Sequence, residues 1–263
     1  MQEAIPQGAM ALHDTYNLAA ALLDLRNLHK VREQGDVRFE LQVPTLRLQA
    51  GQFVALVGAS GCGKSTLLDI LALVLQPSGC ERFYLYDREG AQLDIWRLWN
   101  RNNEDQLARF RCRDLGYVLQ TGGLLPFLSV EENIRLPLRI LGHRISRETI
   151  SALARRIDIQ SILSKKPQYL SGGQRQRAAI LRALIHRPRL ILADEPTAAV
   201  DKPRARSIVA DFKTLARDQG TTIVMVTHDY ELVDGLADQV YGFTVTERSP
   251  TETHSLCRAQ GSL

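Results

Sequence analysis

The chain has 263 residues, 44% hydrophobic and 24% charged, enough to bury a substantial core in one large domain or two smaller ones. Its net charge of +4 is small for that length, and Lys and Arg are interspersed with acids, so nucleic acid is not a predicted partner. Four widely separated cysteines, Cys62, Cys80, Cys112 and Cys257, form no CxxC pair and accompany no His cluster at metal spacing, which argues against zinc and fits a reducing compartment.

Residues 1–18 carry no motif and read as an N-terminal extension. The apolar stretch Leu18 to Leu23 is short, is followed by Asp24 and Arg26, and has no basic region before it. It is read as neither signal peptide nor membrane span. Val37 to Val43 alternates as a half-buried strand does, and Leu46 and Leu48 continue the pattern, predicting an antiparallel edge sheet. Phe53-Val54-Ala55-Leu56-Val57 is a continuous apolar strand that runs into Gly58, and Leu190 to Ala193 and Ile223 to Val226 share its character. Such strands are buried on both faces, so the expected fold is α/β with a mainly parallel sheet.

From about Gln120 the pattern changes to amphipathic segments, Ser129 to Leu141 and Ser146 to Ile157, opened by a capping box at Ser129-Val-Glu-Glu132. Residues 120–170 are read as a helical subdomain set between core segments 19–119 and 171–246. The tail 247–263, with Ser249-Pro250-Thr251 and few apolar residues, is read as a mobile end. The runs Arg109, Arg111, Arg113 and Arg175, Arg177, Arg182 read as solvated helix faces.

Gly58-Ala59-Ser60-Gly61-Cys62-Gly63-Lys64-Ser65-Thr66 lies between an apolar strand and a helix expected over Ser65 to Leu75. The glycines let the backbone curl, so that successive N–H groups and the helix dipole form an anion cradle. Lys64 suits the β- and γ-phosphates of ATP, and the Ser65 hydroxyl suits Mg²⁺. Cys62 sits inside this loop, where modification of an accessible thiol would obstruct nucleotide entry. Asp194 ends an apolar strand, where its carboxylate can hold hydrated magnesium, and Glu195 beside it can orient or deprotonate the attacking water. Gln120, after Leu115 to Leu119, offers a neutral amide to magnesium or to that water. His228 follows a third buried strand, so three chemical groups meet at one edge of the sheet.

From about Ala21 to Gly242 the chain resembles the nucleotide-binding subunits of ABC transporters. The resemblance rests on GASGCGKST, on Gln120 in YVLQTGG, on LSGGQRQR at Leu170 to Arg177, on ILADEPT and on VTHD. It implies a P-loop ATPase core with an antiparallel edge and a helical subdomain. It also implies a homodimer packed head to tail, in which Ser171, Gly172, Gly173 and Gln174 of one copy close over ATP on the other's phosphate loop, with Asp201 linking the two sites. His228 then contacts the γ-phosphate. The stretches VLQTGGLLPFLSVEENIRLPL and ILADEPTAAVD look most like the lipoprotein-releasing and macrolide-efflux class. That implies a cassette on the inner face of the cell membrane, with a coupling helix of a membrane permease seated near Gln120. A signalling or secretion-regulating complex, or a soluble ABC ATPase, are the alternatives. Where the family carries an aromatic residue against adenine this chain offers Val31, leaving His29, Arg32 and Phe39 as other candidates. The segment Trp96 to Arg111 is longer than the usual connection, and its tryptophans are expected to anchor it to the fold.

Overall fold

A computed structural model describes residues 21–198 and 200–260, so the expected N-terminal extension, residues 1–18, lies outside the described residues. Ten strands form one mixed sheet: β1 (Ala21–Gln34), β2 (Val37–Gln49), β3 (Phe53–Val57), β4 (Arg82–Tyr86), β5 (Gln92–Asp94), β6 (Leu115–Val118), β7 (Leu190–Asp194), β8 (Thr222–Thr227), β9 (Gln239–Ser249) and β10 (Glu252–Ala259). Their order across the sheet is β5-β4-β1-β2-β10-β9-β3-β8-β7-β6. β9, β3, β8, β7 and β6 run parallel, while β5, β4, β1 and β2 form the antiparallel side.

Among the described residues seven α-helices accompany the sheet: α1 (Lys64–Leu71), α2 (Ile95–Asn100), α3 (Glu104–Asp114), α4 (Val130–Ile140), α5 (Arg147–Arg156), α6 (Gly172–Leu184) and α7 (Lys202–Asp218). The central strands are buried on both faces, as their continuous apolar sequences require. Along β7, Ile191 and Ala193 join the core under α4 to α7, and Leu190 and Leu192 join the core under α1, α2, α3 and the antiparallel strands. Strand alternation thus sends neighbouring residues into two separate cores. β6 approaches α6 closely enough that a Cβ on Gly116 would lie 2.5 Å from the Ala183 carbonyl, so only glycine fits there.

The α1 helix stops at Leu71 and the chain turns through Leu73 at φ 59°, short of the expected Leu75. Ser129 and Glu132 form the predicted capping box of α4. The long connection before Gln120 folds as α2 and α3, each started by a side-chain cap, from Asp94 and from Asn103. Trp99 is buried and Trp96 packs against the same core.

The reading of 247–263 as a mobile tail is corrected through Ala259. Residues 252–259 form β10, paired antiparallel with β9 and parallel with β2. The inward residues of β10 are Ser255 and Cys257, both fully buried. Small, weakly apolar side chains left no hydrophobic alternation to read, although the strand completes the sheet between its antiparallel and parallel sides.

Candidate active site

The phosphate loop owes its shape to two glycines. Gly61 and Gly63 adopt φ of 79° and 99°, where a side chain is strained, and Gly63 caps α1, its carbonyl accepting from Leu67 N at 2.9 Å. The left-handed turn directs loop amides toward the α1 N-terminus, the positive end of the helix dipole. Lys64 is buried in the first turn, and its Nζ donates to the carbonyls of Gly58 and Ala59, both at 2.8 Å. The hairpin β9–β10 braces the loop from below: the Ser255 hydroxyl donates to the Cys62 carbonyl at 2.6 Å, and Phe243 packs against Gly58.

Cys62 turns inward. Its thiol lies over Gly58, only 1% of the residue is exposed, and burial pushes the thiol up despite the nearby Lys64 ammonium. A buried, protonated thiol is a poor nucleophile. Maleimide is therefore expected to label the exposed Cys112 first and to leave ATP affinity unchanged, as read by peptide mass spectrometry and a binding titration. Rapid labelling of Cys62 with loss of binding would restore the view of a modifiable loop cysteine.

Opposite the loop, Ser65 Oγ donates to Asp194 Oδ1 at 3.4 Å. Glu195 follows in a left-handed conformation, φ 41°, with its amide donating to Val226 O at 3.1 Å. Its carboxylate is bracketed: Gln120 Nε2 donates to one oxygen at 3.4 Å, and His228 Nδ1 lies 3.2 Å from the other. The ends of β6, β7 and β8 thereby converge on a single carboxylate. A non-glycine residue at positive φ is held there by its surroundings, a form of strain that clusters at functional sites.

The Ser65 hydroxyl, the Asp194 carboxylate and the Gln120 amide oxygen are hard oxygen donors. Few protein ligands of this kind suit magnesium, which keeps several of its waters. Among the described residues no group of three or more His, Cys, Asp or Glu forms an alternative metal site.

Burial is the main reason that the Asp194 carboxyl is raised above its ordinary value; Glu195 adds to the shift, and the Ser65 hydroxyl opposes it. The folded carboxyl therefore titrates above the unfolded one. Between the two values the native state holds the extra proton, and this group's contribution to stability falls as pH rises through the folded value. Asp194→Asn is expected to raise the metal-free melting temperature more at a pH above the folded carboxyl's titration than at one below the unfolded carboxyl's, and to remove the stabilisation that ATP gains from magnesium. Equal melting of variant and parent at both pH values would show that Asp194 carries no burial cost.

Ser171 and Gln174 cap α6 reciprocally: the Ser171 hydroxyl accepts from Gln174 N at 3.3 Å, and the Gln174 side chain accepts from Ser171 N at 3.0 Å. The Ser-Gly-Gly-Gln spacing is that of a capping box. Gly172 and Gly173, in the first turn, have no intrahelical acceptor for their N–H groups, as in any helix, and a helix N-terminus in general suits an anion. Asp201 caps α7 instead, accepting from Arg204 N at 3.1 Å.

The solvated-face reading of the arginine runs holds for exposed Arg109 and Arg113 and is corrected for Arg111, Arg175, Arg177 and Arg182. Half-buried Arg182 donates to the carbonyls of Gly123 and Gly122 at 2.6 and 3.0 Å, tying the segment after Gln120 to α6. Arg175 donates to Leu170 O, Arg111 donates to Leu73 O, and Arg113 pairs with buried Asp114. The carbonyls that Arg111 and Arg182 reach lie 38 to 60 residues away, which no local pattern reveals.

A cleft of about 500 Å³ joins these parts, lined by Ser60, Gly61, Gly63 to Thr66, Gln120, Asp194 and Glu195, and beyond them by Arg32, Gln34, Val37 and Phe39. Ser171 to Gln174, Asp201 and His228 are outside this lining, and so is Val31. Gln34 and Val37 were missed by the sequence reading, because their facing depends on the register of the β1–β2 hairpin.

The ABC transporter family profile matches residues 41–198. The chain is 38% identical over 219 residues to the lipoprotein-releasing system ATP-binding protein LolD of Idiomarina loihiensis, covering 82% of this chain and 92% of that protein. It is also 38% identical over 217 residues to the macrolide export ATP-binding/permease protein MacB of Syntrophobacter fumaroxidans, covering 79% of this chain and 28% of the relative. The chain thus spans under a third of that longer protein. Among solved structures it is similar to the dimeric bacterial ABC transporter cassette MJ0796, with TM-score 0.70 and 32% identity over 84% of this chain and 94% of that one. A post-hydrolysis state of the same cassette, bound to ADP and Pi, gives TM-score 0.68 and 31% identity over the same shares. With its phosphate loop, acidic pair and signature helix arranged on the sheet of these relatives, the chain belongs to the ABC transporter family and is one of its ATP-binding subunits.

Proposed function

We propose that the chain hydrolyses ATP with magnesium in a head-to-tail homodimer and drives a separate membrane permease of the lipoprotein-release and efflux class. One observation carries the dimer: the cleft gathers Lys64, Ser65, Asp194, Glu195 and Gln120, while Ser171 to Gln174 lie outside its lining. The α6 N-terminus is therefore available to phosphate on a second copy, and each site is complete only across the interface. The dimeric form of a cassette 32% identical to this chain supports a dimer here.

In this reading Lys64 and the loop amides bind the β- and γ-phosphates. Ser65, Asp194 and Gln120 hold magnesium, which when bound neutralises charge on the phosphate oxygens. Glu195 accepts a proton from the attacking water, with Gln120 and His228 fixing the orientation of its two oxygens. The partner's Ser171, Gly172 and Gly173 amides and hydroxyl stabilise charge on the γ-phosphate, and Asp201 at the start of α7 links one site to the other.

No helix among the described residues is long and apolar enough to cross a membrane. The permease would dock beside the helical subdomain, where a groove of about 230 Å³ between α3, β6, α4 and α6 exposes Leu136, Pro137 and Ile140. Exposed Phe127 and Leu119 extend the apolar surface toward Gln120. In this reading the cassette works on the inner face of the cell membrane. Capture of the Glu195→Gln protein from detergent-solubilised membranes with magnesium-ATP tests the whole reading. An integral membrane protein with a large extracytoplasmic domain is the expected companion, and recovery with soluble factors alone, with none of the protein in the membrane fraction, would overturn it.

A further inference from the structure

Gln120 reaches Glu195 with no margin. Its Nε2 lies 3.4 Å from the carboxylate, at the outer limit of a hydrogen bond, so the placement of its backbone decides whether the contact forms. That backbone is a tight turn: Gly122 N donates to Leu119 O at 2.8 Å, which makes Gln120 the second of four residues. Gly122 and Gly123 follow at φ 77° and 58°, two left-handed glycines in succession, with more rotational freedom than any other pair of residues.

Two anchors flank this segment. β6 ends at Val118 on one side, and on the other fully buried Asn133 exchanges hydrogen bonds with Leu125, accepting from its amide at 2.7 Å and donating to its carbonyl at 3.1 Å. Between the anchors Arg182 takes hold of the glycine pair, one terminal nitrogen on the Gly123 carbonyl and the other on the Gly122 carbonyl. A planar fork matches two successive carbonyls, whereas an ammonium is a single point of donation. Arg182 is not what seats its own helix: Ala178, Ala179, Leu181, Ala183 and Leu184 of α6 are buried in the core and do that.

On the reading that Gln120 serves Glu195 and magnesium, we propose that Arg182 is a positioning residue for ATP hydrolysis, its fork fixing the Gly122–Gly123 hinge and thereby the Gln120 amide. Freed of the fork, the two glycines can rotate, and a displacement of about 1 Å at a reacting group can cost about 10²-fold in rate. Phosphate binding does not pass through this contact, because Lys64 and the phosphate loop stand between β3 and α1.

The test uses Arg182→Met and Arg182→Lys, each with and without Gln120→Ala. Methionine keeps the length and the helix propensity, and the groove that Arg182 lines admits water to the two released carbonyls. Arg182→Lys keeps the charge without the fork and carries the same comparison should the methionine variant fail to fold. In the ligand-free protein, amide hydrogen exchange at Gly122 is expected to quicken by about tenfold in Arg182→Met, with the amides of α6 and β7 unchanged. Turnover at saturating magnesium-ATP is expected to fall by about 10- to 100-fold, and less in Arg182→Lys, while the Kd for ATP stays within about threefold. Neither substitution is expected to slow Gln120→Ala any further, because the effect runs through Gln120. Equal fold losses with and without Gln120 would overturn the positioning role, as would Gly122 exchange at the parental rate. Exchange quickened along the whole of α6 would make Arg182 a support of its helix instead. A parent that hydrolyses no ATP would sink the ATPase reading and this role with it, whereas an active parent with independent losses would sink the role alone.

Discussion

Glu195→Gln is expected to slow ATP turnover by about 10²- to 10⁴-fold, the range for loss of a positioned general base, while ATP still binds. The substitution preserves shape, and the amide can take up the contacts to Gln120 and His228, 3.4 and 3.2 Å away in the parent. What it removes is the capacity to accept a proton. The strained backbone at Glu195, φ 41°, belongs to position 195 and tolerates glutamine as it does glutamate. Binding without turnover leaves the nucleotide clamped between two copies, so the variant is expected to elute as a dimer in magnesium-ATP when the parent elutes as a monomer after hydrolysis. Phosphate release and size-exclusion chromatography read the two effects separately. Unimpaired turnover would assign the base to another group, with His228 the next candidate because its ring already touches the same carboxylate.

Much of this site was legible before the fold, for a physical reason. A phosphate cradle needs glycines at fixed offsets, a strand before and a helix after, so Gly58 to Thr66 specified its own backbone. Asp194, Glu195 and His228 end runs of apolar residues that have no stable place except a buried parallel sheet, which brings strand ends to one edge. What stayed hidden depends on pairing across long separations. Arg182 resembles an exposed helix arginine until the loop 59 and 60 residues away places two carbonyls against it. β10 carried no strand signal because its inward residues are serine and cysteine, and a serine that donates to the phosphate loop is worth more there than an aliphatic side chain. The facing of Arg32 and Phe39 required the hairpin register, where a shift of one residue would have put Val31 on the cleft.

The largest test of assembly is complementation between two inactive chains. Lys64→Ala removes the ammonium from the phosphate loop. Ser171→Glu sets a carboxylate at the α6 N-terminus, where the helix dipole favours it and where Ser171 is exposed, so folding is spared while the partner's phosphate is repelled. Each variant alone is expected below about a hundredth of parental turnover, the scale of losing one transition-state contact. In a head-to-tail mixed dimer both lesions fall on one site, and the other joins an intact loop from the Ser171→Glu chain to an intact signature helix from the Lys64→Ala chain. Random pairing makes half the dimers mixed with one of two sites working, so an equal mixture is expected to recover about a quarter of parental activity. If each signature helix served its own loop, every site in the mixture would carry one lesion and nothing would return. Recovery between these limits has a specific meaning: the intact site then depends on its disabled neighbour, the coupling assigned here to Asp201 at the head of α7. Asp201→Asn added to both chains would reduce that recovery further while leaving ATP binding to each chain unchanged.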